Sequence, residues 1–226
     1  MSAPRKVLLL VGSPRRSRST SLSLGSYLLA RLQALGWQTQ MLRIVAELRE
    51  DGTREALLAA VDQADLIVLA TPLYLDSLPS ETIRALECIA RRRGDGQAPK
   101  ARTFMAIVNS GFPESHQNDL ALAMCRRFAA QVGMRWAGGL ALGGGPAIDG
   151  QPLDRHSRAL RPVAAALDVM ATALDQGQPV PAQAQHLASR QCMPHWLYRL
   201  DGNLLWYRLA LKRRSVTKLR ARPYES

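Results

Sequence analysis

The sequence predicts an α/β fold, a five-stranded parallel sheet wound with helices on both faces. Three observations predict it. Apolar strand-like runs alternate with helix-periodic segments, β then α, five times along the chain. The runs at Val7–Val11 and Asp65–Ala70 are almost continuously apolar, the pattern of strands covered on both sides. Polar and turn-forming residues gather just after the strands, where ligands of such sheets bind.

The stretch Lys6–Ser21, KVLLLVGSPRRSRSTS, organises the rest. Val7–Val11 is the first strand, and Gly12 and Pro14 end it. The loop that follows offers hydroxyls at Ser13, Ser17, Ser19, Thr20 and Ser21, and cations at Arg15, Arg16 and Arg18. A helical pattern then begins with Leu22, Leu24, Tyr27, Leu28 and Leu32, and Gly36 suits its C-terminal cap. A helix N-terminus carries unpaired N–H groups and partial positive charge, so this loop predicts a phosphate-bearing ligand. The plainer reading is a Ser/Arg-rich surface turn with a helix cap.

Thr39, Met41 and Arg43, alternating with Gln40, Leu42 and Ile44, make the second strand. A helix is expected over Arg54–Ala64, with Leu57, Leu58 and Val61 inward. The third strand, Asp65–Ala70, leads into TPLYLDSLPS, a loop fixed by Pro72 and Pro79. Glu81–Arg93 reads as a helix, and Gly94–Lys100 as a turn. Thr103–Val108 is the fourth strand and ends in NSGFPE. Gln117–Gly133 is helical, Arg135–Leu142 is a glycine-containing fifth strand followed by GGGPAIDG, and Leu153–Gln176 is a long helix. Topology alone brings three loops together: Gly12–Ser21, Thr71–Ser80 and Asn109–His116.

The chain has 226 residues, enough for one domain with a full core and an appendage. No apolar run approaches the roughly 20 residues that span a bilayer, and MSAPRK has no secretory pattern. Cys88, Cys125 and Cys192 lie far apart, which excludes a disulfide framework and a C-x-x-C site and leads us to expect the cytoplasm. The net charge of +12 points to anionic partners, and no Asp or Glu precedes Glu47. The sequence has no aromatic ladder or zinc-finger spacing, so no specific nucleic-acid partner is expected.

Several phosphate-binding loops are excluded. G-x-x-x-x-G-K-[ST] is absent, as is G-x-G-x-x-G after the first strand. Response regulators need an acidic pair where this chain has Gly12–Ser13, and an Asp where it has Ala70–Thr71. GSPRRSRSTS, TPLYLDSLPSETIRALE and NSGFPE, in that order and each on its own βα loop, resemble the flavodoxin-like NAD(P)H-dependent FMN reductase and quinone oxidoreductase family, over roughly Lys6 to Leu174. The resemblance implies a flavodoxin-like doubly wound sheet in the order 2-1-3-4-5, bound FMN, hydride donation by NADPH or NADH, and a homo-oligomer, dimer or tetramer. It implies that Ser13, Arg15, Ser17, Ser19 and Thr20 hold the FMN phosphate. Pro72, Leu73 and Tyr74 would lie along the ribityl chain and ring, with Asn109, Ser110, Gly111 and Phe112 at the ring's other edge. GGGP, Gly143–Pro146, would border the cofactor.

Plainer readings stand beside these. Tyr74 and Phe112 are packing aromatics as readily as flavin contacts. His116 reads as a solvated loop residue more than a substrate group, and Asp154 and His156 as helix-cap polar residues. Cys88 and Cys125 read as packing. No catalytic side chain and no metal site is expected, because the chemistry would be the flavin's. The expected function is hydride transfer from NAD(P)H to bound FMN and on to a quinone, free flavin or similar small acceptor. A slight lean toward NADPH follows from the positive loop. The alternative is a flavodoxin-type carrier, or an FMN-binding scaffold whose basic tail docks a partner or membrane.

The expected division is a domain over 1–178 and a basic C-terminal helical extension over 179–226. Pro179, Pro181 and PAQAQHLASRQ read as a connector. Beyond it, Trp196, Leu200, Leu204, Leu205 and Leu209 suggest two short amphipathic helices interrupted at Asp201–Gly202–Asn203, with a basic block after them. They pack on their own core or a dimer mate in one reading. In the other they lie on an anionic membrane surface, which would make the protein cytoplasmic but peripheral to the membrane.

Overall fold

The computed structural model describes residues 4–15, 17–94, 102–153, 160–190, 195–219 and 221. Its strands are β1 (Lys6–Val11), β2 (Gln38–Arg43), β3 (Leu66–Pro72), β4 (Thr103–Asn109) and β5 (Arg135–Leu142). They form one sheet in the order β2-β1-β3-β4-β5, with every neighbouring pair parallel. This is the flavodoxin-like doubly wound architecture expected from the sequence.

The continuous apolar runs are explained by two cores, one on each face of the sheet. Val7, Leu9 and Val11 face one core, together with Leu66, Val68 and Ala70 of β3 and Met105 and Ile107 of β4. Leu8 and Leu10 face the other, with Ile67, Leu69, Phe104, Ala106 and Val108. Period-two alternation therefore serves two apolar layers, and no polar position is needed within the apolar runs of β1, β3 and β4. Helices α1 (Thr20–Ala34) and α6 (Arg161–Asp175) close the first core, through residues such as Leu24, Leu28, Leu167 and Met170. Helices α3 (Asp51–Gln63), α4 (Ser80–Gly94) and α5 (Asp119–Gln131) close the second, through Leu57, Val61, Leu86, Ile89 and Phe128. Phe104 and Phe128 meet edge to face, with ring centroids 5.2 Å apart.

Some boundaries differ from expectation. Ile44 leaves the second strand and starts a one-turn helix, α2 (Ile44–Glu47), because its side chain is fully buried in the second core while β2 is an exposed edge. Gln117 and Asn118 belong to a 3-10 turn ahead of α5. The helix expected over Leu153–Gln176 is described from Arg161, and Asp154 and His156 lie outside the described residues. So do Arg16, Cys192, Arg220, Arg222 and the Gly/Pro turn from residue 95 to 100.

The expected connector after Gln178 is corrected most clearly. Ala182–Ala188 is a helix, α7, whose Ala184 and Ala188 are buried in the first core beside Val180. The Val180 N–H donates to the Ala137 carbonyl on β5 at 2.6 Å. Alanine is the strongest helix former, and its small side chain lets a helix lie close on its support. The first compact unit accordingly runs to Cys192, past Gln178, and the second is Met193–Ser226. In that second unit one helix, α8 (His195–Lys212), passes straight through Asp201–Gly202–Asn203. The sequence there has no proline, and a single helical Gly costs only about 1 kcal/mol.

Candidate functional site

Three βα loops meet at the carboxyl edge of β1, β3 and β4 and enclose a cleft of about 150 Å3. Ser13, Arg15, Ser19 and Thr20 line it from the first loop, and Pro72, Leu73 and Tyr74 from the second. Asn109, Ser110 and Gly111 line it from the third. The structure thus brings together ten of the twelve residues expected from the sequence. Ser17 is exposed and Phe112 is half-exposed, and neither is part of the cleft wall.

The first loop is built around the start of α1. Ser19 is the N-cap, extended in backbone, and its Oγ accepts from the Leu22 N–H at 3.2 Å. The N–H groups of the first turn ahead of Leu22 have no acceptor within the helix, so they and the helix dipole face whatever the cleft holds. No acidic residue lies in that first turn. The Arg15 N–H approaches the Ser13 Oγ at 3.4 Å. Arg18, in a left-handed backbone conformation (φ 53°), reaches Asp149 at 3.5 Å, and both residues line the cleft.

Gly12 lets the chain turn out of β1. Its N–H donates to the Ala70 carbonyl at 2.8 Å, and the Thr82 hydroxyl donates to its carbonyl at 3.3 Å. A Cβ there would stand 2.4 Å from Thr82 Oγ1 and 2.8 Å from Thr71 Oγ1.

Internal bonds hold the three loops in register. The Thr20 hydroxyl donates to the Gly145 carbonyl at 2.8 Å, and the Ser21 hydroxyl to Asn109 Oδ1 at 2.7 Å. The Leu73 N–H donates to the Asn109 carbonyl at 2.8 Å, and the Gly145 N–H to the Ser110 carbonyl at 2.9 Å. The buried Asn118 amide donates to Ser110 Oγ at 3.3 Å and to the Leu142 carbonyl at 3.1 Å. Thr20 and Ser21 therefore spend their hydroxyl protons on the scaffold, and the helix N–H groups, Ser13 and Arg15 are left to meet an anion, while Arg18 is shared with Asp149.

The second loop carries a tight reversal. Tyr74 and Ser77 exchange both backbone hydrogen bonds, at 2.9 and 3.0 Å. Leu75 and Asp76 between them have positive φ (48° and 58°), the geometry of a type I′ turn. Tyr74 is partly exposed at the cleft and lies outside both cores, which removes the core-packing reading of this residue. His116 is exposed in the 3-10 turn. Cys125 is fully buried in the second core, and Cys88 packs against it.

Asp149, Pro146 and Gly145 also line the cleft and carried little sequence signal. GGGP was the one hint. Gly144 and Gly150 have positive φ, and a Cβ on Gly150 would sit 2.2 Å from Arg18 Cα, so this loop closes against the first one.

The cleft suits a flavin mononucleotide. Its basic, N–H-rich end matches a phosphate, and Pro72, Leu73 and Tyr74 give apolar surface for a planar ring. At Gly111 an added Cβ would meet nothing within 4 Å, which leaves open space at the wall for close approach of a ligand.

Solved structures share the fold. An NADH:FMN oxidoreductase, EMOB, is 17% identical with a TM-score of 0.56, over 83% of this chain and 97% of that one. An FMN-dependent NADH-azoreductase from Bacillus anthracis, solved with FMN, is 13% identical with a TM-score of 0.56, over 76% of this chain and 100% of that one. A quinone reductase assignment from Klebsiella pneumoniae is 16% identical with a TM-score of 0.54, over 78% and 87%. No curated protein matches the sequence. The family model described as NADPH-dependent FMN reductase matches residues 5–145, which take in all three βα loops of the cleft and every strand of the sheet. The chain belongs to the NADPH-dependent FMN reductase family of FMN-dependent oxidoreductases, with a reduced nicotinamide as electron donor.

Proposed function

We propose that the protein takes a hydride from NADPH, in preference to NADH, onto FMN held in the cleft and delivers the electrons to a small acceptor, a quinone or free flavin. The observation that carries this reading is the polarity of the cleft. Arg15, Arg18 and the start of α1 line it from the first loop, and Pro72, Leu73 and Tyr74 line it from the second. FMN, when bound, supplies the hydride and electron chemistry.

The chain's own residues bind, orient and dehydrate. The N–H groups at the start of α1, with Ser13 and Arg15, hold the phosphate and so fix one end of the cofactor. Leu73 and Tyr74 remove water from the ring face. Asn109, itself fixed by Ser21 and by the Leu73 N–H, sets the edge at which polar groups meet the ring. Ser17 and Phe112 keep a role only at the rim. The exposed side chains of Arg15 and Arg18 raise the local concentration of a phosphorylated donor through their field.

The test is anaerobic mixing of the yellow protein with NADPH and, separately, with NADH, followed at the flavin band. NADPH bleaches it faster under this reading, and re-oxidation by a quinone restores it. A flavin that neither donor bleaches within minutes overturns the reductase reading and leaves a carrier.

A further inference from the structure

The proposed chemistry uses nothing beyond the first compact unit, yet the second is the most unusual surface of the chain. We propose that α8 is an interfacial helix that docks the protein on an anionic lipid surface. Trp196, Leu200, Leu204, Tyr207 and Leu211 follow one another at spacings of four, four, three and four, which keeps them on one side of an α-helix. All five are exposed, Trp196 at 67% and Leu211 at 65%. At 100° per residue, Arg208 and Lys212 border this stripe on one side and Arg199 on the other. Lys212, Arg213 and Arg214 then cluster at the helix C-terminus.

Met193–Ser226 contains eight Lys and Arg against two Asp and Glu, so 34 residues carry half of the chain's net charge of +12. An aliphatic and aromatic stripe between flanking cations is what the boundary between headgroups and acyl chains accepts: Trp and Tyr at headgroup depth, Leu below, cations on lipid phosphate. Crossing the bilayer is a different matter, and among the described residues no helix is long and apolar enough for it.

The other occupants fit less well. A second copy of α8 laid on the stripe would bring two such cationic segments together in a low-dielectric contact, where like charges repel strongly. Nucleic acid would satisfy the cations but leave Leu200, Leu204 and Leu211 with no apolar partner. A shorter apolar line, Tyr198, Leu205 and Leu209, lies on the opposite side of the helix; Tyr198 and Leu209 are close to two-thirds covered and Leu205 is 55% exposed. The stripe that Arg208 and Lys212 border on one side and Arg199 on the other is therefore the docking face.

The experiment is co-sedimentation of the full chain with phosphatidylcholine vesicles containing phosphatidylglycerol, and with phosphatidylcholine alone. The comparison is repeated for K212S/R213S/R214S and for L200S/L204S/L211S. The expected result is binding to the anionic vesicles that is at least about tenfold tighter than to the neutral ones and weakens as salt rises. Each triple variant should lose most of it and keep the wild-type rate of flavin bleaching by NADPH. The salt series on the unmodified chain stands even if a variant fails to fold. The proposal is overturned if the full chain stays in the supernatant with anionic vesicles at low salt, or if it binds neutral vesicles equally. Unaltered binding by the leucine variant also overturns it, because charge alone would then explain the attraction. A wild-type oligomer that this variant dissociates would assign the stripe to a second copy. Bleaching is read separately from sedimentation, so a failed docking proposal and a failed reductase reading are distinguishable.

Discussion

The hydroxyl of Ser21 donates to Asn109 Oδ1 at 2.7 Å, joining the first turn of α1 to the last residue of β4 across 88 positions of sequence. Both residues are buried, Ser21 at 1% exposure and Asn109 at 7%. The bond sets the distance between two of the three loops of the cleft. Replacing Ser21 with Ala leaves a buried amide oxygen without its donor, and we expect a loss of about 1–3 kcal/mol in stability. Urea unfolding of S21A measures it. FMN affinity should fall as well, because the Asn109 loop loses its anchor. A variant with unchanged stability and unchanged affinity would show that the bond positions nothing.

The sheet order and the three site loops were readable in the sequence because each rests on a local signal. Leu8 and Leu9 point to opposite faces, and both are apolar because both faces are covered. Gly12 and Pro14 mark the end of a strand whatever surrounds them. Residues whose role depends on distant partners were not readable. Asn118 looks like any polar residue near a helix start, and only the fold brings it to Ser110 and Leu142. Asp149 reaches the cleft because Gly150 folds back on Arg18. Helix α7 reads as a connector in the sequence because Gln and Ala are common in linkers. The decisive facts are tertiary, the burial of Ala184 and Ala188 and the Val180–Ala137 hydrogen bond.

Ser19 and Thr20 separate a structural role from a ligand role. Ser19 caps α1 through the Leu22 N–H, so S19A should cost about 1 kcal/mol of stability without ligand. The double variant S19A/T20A also frees the Gly145 carbonyl. With the Thr20 hydroxyl spent on Gly145, the phosphate donor it removes is the Ser19 hydroxyl, and it should lose about 1–3 kcal/mol of FMN affinity beyond any effect on folding, since a hydrogen bond to a charged group has that magnitude. Isothermal titration of the apoprotein with FMN, and with riboflavin as the phosphate-free control, reads this directly. Riboflavin should lose less than FMN, because it feels only the loosened Thr20–Gly145 contact. Equal losses for both ligands would place the effect outside the phosphate.

Gly12 is required by packing against two threonines. In G12A the new methyl would stand 2.4 Å from Thr82 Oγ1 and 2.8 Å from Thr71 Oγ1, well inside contact distance. Both threonines are fully buried, so neither can move away freely. We expect G12A to lose about 1–3 kcal/mol, the usual cost of overpacking. T82A removes the nearer oxygen and also the hydrogen bond to the Gly12 carbonyl, so it is destabilising alone. In the double variant G12A/T82A the two losses should sum to more than the measured total, a coupling detectable by thermal unfolding of all four proteins. Strict additivity would mean that the turn relaxes around the methyl.

Cys125 supplies a pH dependence whose sign is fixed by burial. The second core holds its thiol fully buried, and desolvation of the thiolate pushes its pKa up to about 12 from an ordinary value of 9.0. In the unfolded chain the same thiol ionises near its ordinary value. Above that pH the unfolded state releases a proton that the folded state retains, so the equilibrium moves toward unfolding. The stabilising contribution is thus complete below about pH 9 and declines as pH rises toward about 12. Other groups also titrate in this range, so the comparison must be made against C125A, in which they remain. C125A should be the less stable protein near neutrality, because it leaves a small void between α5 and the sheet. Its deficit should shrink steadily as the pH is raised above about 9, since only the wild type carries the Cys125 penalty. Paired urea unfolding curves at neutral and alkaline pH measure the gap. A gap that stays constant across that range would mean that Cys125 ionises in the folded core as easily as in water, against the burial seen here.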